Sequence, residues 1–149
     1  MKEFQIKNYN DGQGQVNDRG PGNVFTVKPA VDPGLLGRVN ASFVEVAPGN
    51  TAYGYHYHEA NEEMFYIISG HGVVRTVKGD VAVKAGDMVS FPVGEGGAHV
   101  IRNDSAAETL VYIDFSTIST CEIAHLPDDG KILVASQSTF GIYDAPKKG

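Results

Sequence analysis

The chain of 149 residues is long enough for one domain with a buried core, and a composition of 42% hydrophobic and 20% charged residues is typical of globular proteins. The formal net charge of −6 argues against a surface for nucleic acid or anionic membranes. The single cysteine, Cys121, excludes an internal disulfide. No signal peptide is recognisable, and no apolar run approaches the ~20 residues that span a bilayer, so we expect a cytoplasmic protein.

The N-terminal segment is polar and irregular. Residues 8–23 are rich in Gly, Asn, Asp and Gln and carry hardly an apolar side chain, which predicts a flexible arm over residues 1–23. The first strands follow at Val24–Val27 and Val39–Val46.

Two histidines and three tyrosines alternate in the next predicted strand. Successive side chains of a strand point to opposite faces, so His56 and His58 share one face. By the same alternation Tyr53, Tyr55 and Tyr57 fall on the other face. We therefore expect the tyrosines to pack, or to contact a subunit, away from the imidazoles.

A carboxylate follows the histidine pair after a short turn at Asn61. If that turn joins neighbouring antiparallel strands, Glu63 at the start of the next strand returns to the face that holds His56 and His58. Two neutral imidazole nitrogens and one carboxylate oxygen would then form a divalent-metal site. The alternative is that both histidines are solvated on a polar strand face.

Short strands separated by turn residues continue to the C-terminus, and no window sustains a helical period. The chain is therefore all-β, a sandwich or barrel with little helix. Residues 117–149 are expected to pack on this core as further strands, ending in a loose tail at Ala145–Gly149. The predicted strands after the first three are Met64–Ile68, Val73–Val77, Val81–Val83, Met88–Phe91, His99–Ile101, Thr109–Phe115, Ile118–Ile123 and Ile132–Val134.

Two ordered motifs resemble the signatures of the cupin superfamily. In the first, His56-x-His58 is followed after four residues by Glu63 and after six more by Gly70. Glu62 is a rival carboxylate, because His58-x3-Glu62 also fits the family spacing. The strand phase, together with the six-residue step to Gly70, favours Glu63.

The second motif includes a loop that is longer than the family pattern. It contains Gly86, Pro92, His99 and Asn103, and its second glycine is either Gly94 or Gly96. With Gly94 the four residues Glu95 to Ala98 precede the histidine where the family has two. With Gly96 the family spacing to the histidine is kept, and the additional pair follows the proline.

The resemblance implies a fold and a set of ligands. The fold is a double-stranded β-helix, the cupin jelly-roll barrel, with its core at residues 24–116 and a homodimer as the expected assembly. The ligands are His56, His58, Glu63 and His99, around a divalent Mn, Fe, Co, Ni or Zn ion. Strand alternation also places His99 and Asn103 on one face.

Within this family the predicted function is a small-molecule metalloenzyme of isomerase, dioxygenase or decarboxylase type, in which Glu63 also orients a bound water or substrate. The motif segments contain no Lys or Arg cluster, which counts against a phosphorylated sugar. The alternative is a non-catalytic metabolite-binding or sensor protein. His71 and His125 are expected to be structural or exposed, and Arg75 to be solvated, although it could meet an anionic substrate.

Overall fold

The computed structural model describes residues 2–146. Strands make up 54% of it and helix 4%, in two antiparallel sheets, which confirms the predicted double-stranded β-helix. The strands are β1 (Gln15–Asp18), β2 (Val24–Pro29), β3 (Val39–Val46), β4 (Thr51–His58), β5 (Glu63–Ser69), β6 (His71–Thr76), β7 (Gly79–Lys84), β8 (Met88–Phe91), β9 (His99–Arg102), β10 (Leu110–Thr117), β11 (Cys121–Leu126), β12 (Lys131–Ser136) and β13 (Phe140–Asp144).

One sheet has the strand order β1-β2-β3-β10-β5-β8 and the other the order β13-β12-β11-β4-β9-β6-β7. Two single 3₁₀ turns, Glu95–Gly97 and Pro127–Asp129, are the helical elements between residues 2 and 146. Neither has the length or the apolar character that a membrane-crossing helix requires.

The core lies between the two sheets and follows the alternation expected from the sequence. In β5, for example, Phe65 and Ile67 are buried, whereas Met64 and Tyr66 are exposed. Burial of the inward side chains is the main force that holds the sheets face to face. The buried cluster consists of Phe25, Val44, Val46, Ala52, Phe65, Ile67, Val74, Val83, Phe91, Ile101, Leu110 and Tyr112.

The predicted N-terminal arm contains a strand that the sequence pattern did not reveal. β1 pairs antiparallel with β2, from Gln15 opposite Val27 to Asp18 opposite Val24. Its side chains are mostly exposed, so it carries no apolar alternation and is held through backbone hydrogen bonds at the sheet edge. This pairing brings the β1–β2 turn to the end of the barrel where the histidines lie.

The C-terminal strands extend the sheet that carries the histidines. β11 pairs with β4 through Ala124 opposite His58 and His125 opposite Tyr57. β12 and β13 then continue the sheet, and β13 lies in a stretch where no strand was predicted. Residues 147–149 of the predicted tail lie outside the described residues.

Candidate metal centre

Three imidazoles converge on one carboxylate oxygen, that of Glu63, between the two sheets. The Oε2 atom of Glu63 lies 3.5 Å from His56 Nε2, 3.6 Å from His58 Nε2 and 3.1 Å from His99 Nε2. The ligand atoms of His56, His58 and Glu63 all lie within 4.8 Å of one another. The structure thus brings together all four residues that the sequence patterns selected.

The route by which Glu63 reaches the histidines differs from the one expected. β4 and β5 are not neighbours but belong to different sheets. His56 and His99 are opposite each other on β4 and β9, and Glu63 faces them across the core from the first residue of β5. The turn between β4 and β5 crosses from one sheet to the other, so the cluster joins both walls of the barrel.

The cluster has the spacing and the unsatisfied atoms of a metal site. Ligand atoms held at about 2.0–2.2 Å from one ion lie roughly 3.0–3.5 Å apart, close to the three contacts of Glu63. Among the described residues, His58 Nε2, His99 Nε2 and Glu63 Oε2 are buried and have no hydrogen-bond partner. Buried polar atoms are rarely left without a partner, so these residues fit a bound cation.

His99 shows why a cation satisfies the site better than a proton. Burial lowers the pKa of His99, so its ring is neutral and carries one N–H. Its Nδ1 lies 2.9 Å from the carbonyl oxygen of Gly97 and its Nε2 lies 3.1 Å from Glu63, and both partners are acceptors. One proton cannot serve both contacts, whereas an ion bound at Nε2 leaves the proton on Nδ1.

Backbone carbonyls orient two of the three rings. Nδ1 of His56 lies 2.7 Å from Gly54 O, in the same arrangement as His99 with Gly97. A carbonyl can only accept, so each contact favours the tautomer with its lone pair on Nε2, towards the cluster. His99 is also stacked on Phe91, at 3.5 Å between ring centroids and 11° between planes, and is only 1% exposed.

The structure places Glu63, and not Glu62, at the cluster. Glu63 is 8% exposed, whereas Glu62 is exposed and donates its backbone N–H to Thr117 Oγ1 at 2.8 Å. Burial by itself raises the pKa of Glu63, but its close contacts with the three histidines outweigh burial and hold the pKa well below its usual range. The carboxylate is therefore ionised and supplies one negative charge to the cluster.

Tyr53 corrects the prediction that all three tyrosines face away from the imidazoles. Tyr55 and Tyr57 do face away, against Arg75 and His125. Tyr53 instead packs on the core and lines the cavity beside His56. Its φ of 59° is in the left-handed region, and the β4–β9 register shifts between Ala52 and His56, so the alternation is broken at this residue.

The lengthened loop before His99 is compact. Residues Glu95–Gly97 form a 3₁₀ turn, and the N–H of Gly94 donates to His58 O over 2.7 Å. The loop thus contacts two of the clustered histidines, through His58 O at one end and the Gly97 carbonyl at the other. Gly97, rather than the motif glycine Gly94 or Gly96, is the residue whose backbone packs closely against Pro92. A Cβ at Gly97 would lie 1.9 Å from Pro92 O.

Replacement of Gly97 by alanine is expected to destabilise the protein by about 1–3 kcal/mol, because the loop backbone must move away from Pro92. It should also weaken divalent-ion uptake, since the Gly97 carbonyl orients His99. Gly96→Ala is the matched control: nothing lies within 4 Å of a Cβ at that position, and we expect a change within about 0.5 kcal/mol. Equal urea midpoints for the two variants would contradict the prediction.

Asp114 is a half-buried residue beside the cluster that sequence reasoning missed. Burial of its carboxyl group, the negative charge of Glu63 and a hydrogen bond with Glu63 raise the pKa of Asp114 well above its usual range. Its Oδ1 has no partner among the described residues. A signal existed, because alternation in β10 puts Asp114 on the same face as the buried Leu110 and Tyr112.

Glu122 of β11 organises the turn between the clustered histidines and Glu63. Its carboxylate accepts the backbone N–H groups of Glu59 at 3.0 Å, Ala60 at 3.3 Å and Asn61 at 2.5 Å. Its Oε1 also lies 3.8 Å from Nδ1 of His58. Nothing in the local sequence around Glu122 indicated this role, because its partners are more than sixty residues away.

The other titratable residues singled out in the sequence lie away from the cluster. His71 is exposed, with its Nδ1 3.8 Å from Glu108. His125 Nε2 lies 2.6 Å from Glu59 Oε1, and the ring stacks on Tyr57. Arg75 is not simply solvated, because it makes a bidentate pair with Asp128 at 2.6 and 3.0 Å.

His56, His58 and Glu63 line a cavity of about 460 Å³. β11 and β12 form one wall with apolar side chains, and β3 and β10 supply polar groups on the other. This volume lies within the ~300–1,000 Å³ typical of small-molecule sites. The lining residues are Arg19, Asn40, Ser42, Tyr53, Gly54, His56, His58, Asn61, Glu63, Asp114, Ser116, Ile118, Ser119, Glu122, Ala124, Leu126, Leu133 and Ala135.

Segments of this chain are similar in sequence to known proteins. The Cupin domain family model matches residues 42–115. A stretch of 56 residues is 39% identical to the oxalate-binding protein of Thermotoga maritima, covering 38% of this chain and 45% of that protein. The chain therefore spans less than half the length of this curated relative.

Two crystal structures resemble nearly the whole chain. A provisionally named sugar phosphate isomerase of Acidithiobacillus ferrooxidans has a TM-score of 0.80 and 27% identity, over 90% of this chain and 86% of that one. A sugar phosphate isomerase from a cupin superfamily, from Silicibacter pomeroyi, has a TM-score of 0.82 and 19% identity, over 97% of each chain. The matched domain and the two-sheet barrel identify the chain as a member of the cupin superfamily.

Proposed function

We propose that this cupin is a divalent-metal-dependent enzyme that acts on a small molecule in the barrel cavity. The observation that carries the proposal is the convergence of three Nε2 atoms on the buried Oε2 of Glu63. This oxygen and the Nε2 atoms of His58 and His99 have no hydrogen-bond partner among residues 2–146. His56, His58, His99 and Glu63 would hold the ion. A bound ion of this kind supplies Lewis acidity, which polarises a carbonyl or hydroxyl oxygen.

The protein residues divide the remaining tasks. One ionised carboxylate and three neutral imidazoles give the ligands a charge of −1, so a bound divalent ion keeps a net positive charge. Mn, Fe, Co, Ni and Zn all suit these nitrogen and oxygen ligands. Glu63 is the candidate catalytic residue, because its carboxylate can also orient a bound water or substrate, and Asp114 lies beside it. The homodimer expected from the resemblance stays a prediction.

A second candidate is a metabolite-binding protein without catalysis. It is favoured by the 39% identity of one segment to the oxalate-binding protein of Thermotoga maritima. The same metal cluster would serve both functions, since a bound ion attracts an oxyanion whether or not chemistry follows. Turnover is therefore the property that separates the two candidates.

The first test is the metal content of the purified protein by elemental analysis. We expect about one divalent ion per chain. His58→Ala should lower the affinity for the metal ion at least about 100-fold. Loss of a residue that merely hydrogen-bonds to a metal ligand already costs up to that much. His71→Ala is the control: it removes an exposed imidazole at the start of β6 and should leave the metal content unchanged.

Equal and negligible metal in the wild-type protein and in His58→Ala would contradict the metal site. A turnover screen of the metal-loaded protein follows, with sugar phosphates, diketones and catechols as substrates. Metal-dependent turnover that is lost in His58→Ala supports the enzyme. Tight oxalate binding with no turnover in the screen favours the binding protein instead.

A further inference from the structure

Arg19 occupies the turn between β1 and β2, at the edge of the cavity that contains the clustered histidines. The turn is closed by two backbone hydrogen bonds of 3.0 Å, from Arg19 N–H to Asn23 O and from Asn23 N–H to Gly20 O. In addition, the backbone N–H of Gly20 donates to Asp18 Oδ1 at 2.9 Å. The side-chain amide of Asn23 donates to Tyr53 O, which ties the turn to β4. Arg19 therefore projects from a backbone that is anchored to the histidine strand.

The guanidinium of Arg19 lies against two aromatic rings. Its Cζ is 5.4 Å from the ring centroid of Phe25 and 5.4 Å from that of Tyr53. The attraction between a cation and an aromatic ring positions the guanidinium without using its N–H donors. Those donors therefore stay free for an acceptor in the cavity.

No acidic side chain of residues 2–146 pairs with Arg19. Arg75 and Arg102, by contrast, have carboxylate partners in Asp128 and Asp80, at 2.6 and 3.5 Å. Arg19 is also the one lysine or arginine among the described residues that line the cavity. It is thus the available cation in a space that is large enough for a small molecule.

The acidic groups of the cavity do not offset this charge. Glu63 faces the three imidazoles, and Glu122 accepts three backbone N–H groups. Asp114, the third acidic residue of the lining, interacts with Glu63 and forms no ion pair with Arg19 among the described residues. An anionic oxygen brought by a ligand is the partner that Arg19 lacks.

We propose that Arg19 binds a carboxylate or phosphate group of a ligand whose other end reaches the clustered histidines. This inference rests on the proposed function and names its substrate class: a small molecule with an anionic group at one end and metal-binding oxygens at the other. Tyr53 lies between the two ends, with its ring centroid 6.4 Å from that of His56 and 5.4 Å from Arg19 Cζ. The cupin motifs themselves contain no cluster of Lys or Arg. Arg19 lies outside these motifs, in the N-terminal part of the chain.

Matched pairs of probes isolate the anionic group. Lactate and malate share a 2-hydroxycarboxylate that can chelate an ion, and malate adds one carboxylate. Glycerol and glycerol 3-phosphate differ in the same way by a phosphate. The affinity of the metal-loaded protein for each probe is measured by calorimetry, for the wild-type protein and for Arg19→Gln, Arg19→Lys and Arg102→Gln, after the metal content of each has been determined.

In at least one pair, we expect the probe with the additional carboxylate or phosphate to bind about tenfold more tightly to the wild-type protein. A charge-assisted hydrogen bond would provide a difference of this size. Arg19→Gln should abolish this preference without changing the metal content, Arg19→Lys should keep part of it, and Arg102→Gln should keep all of it. The pair that shows the preference identifies the group.

A preference that survives in Arg19→Gln, or that is missing from the metal-loaded wild-type protein, would overturn the inference while the proposed function stands. A wild-type protein that takes up no metal would overturn the proposed function, and the inference would fall with it. The metal measurement therefore distinguishes the two failures.

Discussion

Replacement of Glu63 by glutamine is expected to lower the affinity for a divalent ion by at least about 100-fold. The side chain keeps its shape, so the loss reflects the removed charge and the weaker ligand atom. Glu63 Oε2 is the atom to which all three Nε2 atoms are close, at 3.1–3.6 Å, and it has no hydrogen-bond partner elsewhere in the described part of the chain. The measurement is a competition titration with a chromophoric chelator.

The neighbouring Glu62→Gln variant is the matched control for this prediction. It removes the same charge one residue away, from a side chain that is exposed to solvent. Its backbone bond to Thr117 Oγ1 does not depend on the side chain. We expect its metal affinity to stay within about twofold of wild type, as is usual for surface substitutions. Similar losses in the two variants would show that overall charge, rather than ligation, controls binding.

Glu122→Ala is expected to lower the free energy of unfolding by about 2–4 kcal/mol, because it leaves three backbone donors of the β4–β5 turn without their charged acceptor. The carboxylate is 6% exposed, so water cannot easily replace it. Urea denaturation of the metal-free protein measures the effect without a contribution from ion binding. Metal affinity should also fall, since the turn fixes the positions of His58 and Glu63.

Two further variants give this prediction its controls. Glu108→Ala removes an exposed carboxylate whose side chain, within residues 2–146, pairs only with His71, and should cost at most about 0.5 kcal/mol. Glu122→Gln keeps one carbonyl oxygen and should fall between the wild-type protein and Glu122→Ala. If Glu122→Ala were as stable as Glu108→Ala, the three hydrogen bonds would not be holding the turn.

The role of Glu122 connects the C-terminal strands to the candidate metal centre. β11 reaches the site twice, through this carboxylate and through its pairing with β4 opposite His58. β12 continues the same sheet and contributes Leu133 and Ala135 to the cavity. Residues outside the segment matched by the Cupin domain model therefore help to build the site.

Most of the strands, together with His56, His58 and Glu63, could be predicted from the sequence because they depend on local pattern, whereas His99 was identified by the resemblance to cupins. The bounds of β3 and β8 agree with the predicted Val39–Val46 and Met88–Phe91. His56 and His58 share a face because neighbouring side chains in a strand alternate. The same alternation in β5 distinguishes the buried Glu63 from the exposed Glu62.

Only the tertiary structure decided what surrounds those four residues. A single positive φ at Tyr53 breaks the alternation on which the tyrosine prediction relied, and turns that ring into the cavity. Arg19, Asp114 and Glu122 reach the site from strands and turns far apart in the chain. Alternation is a property of the backbone within one strand, whereas these contacts depend on the register between strands and on how the two sheets face each other.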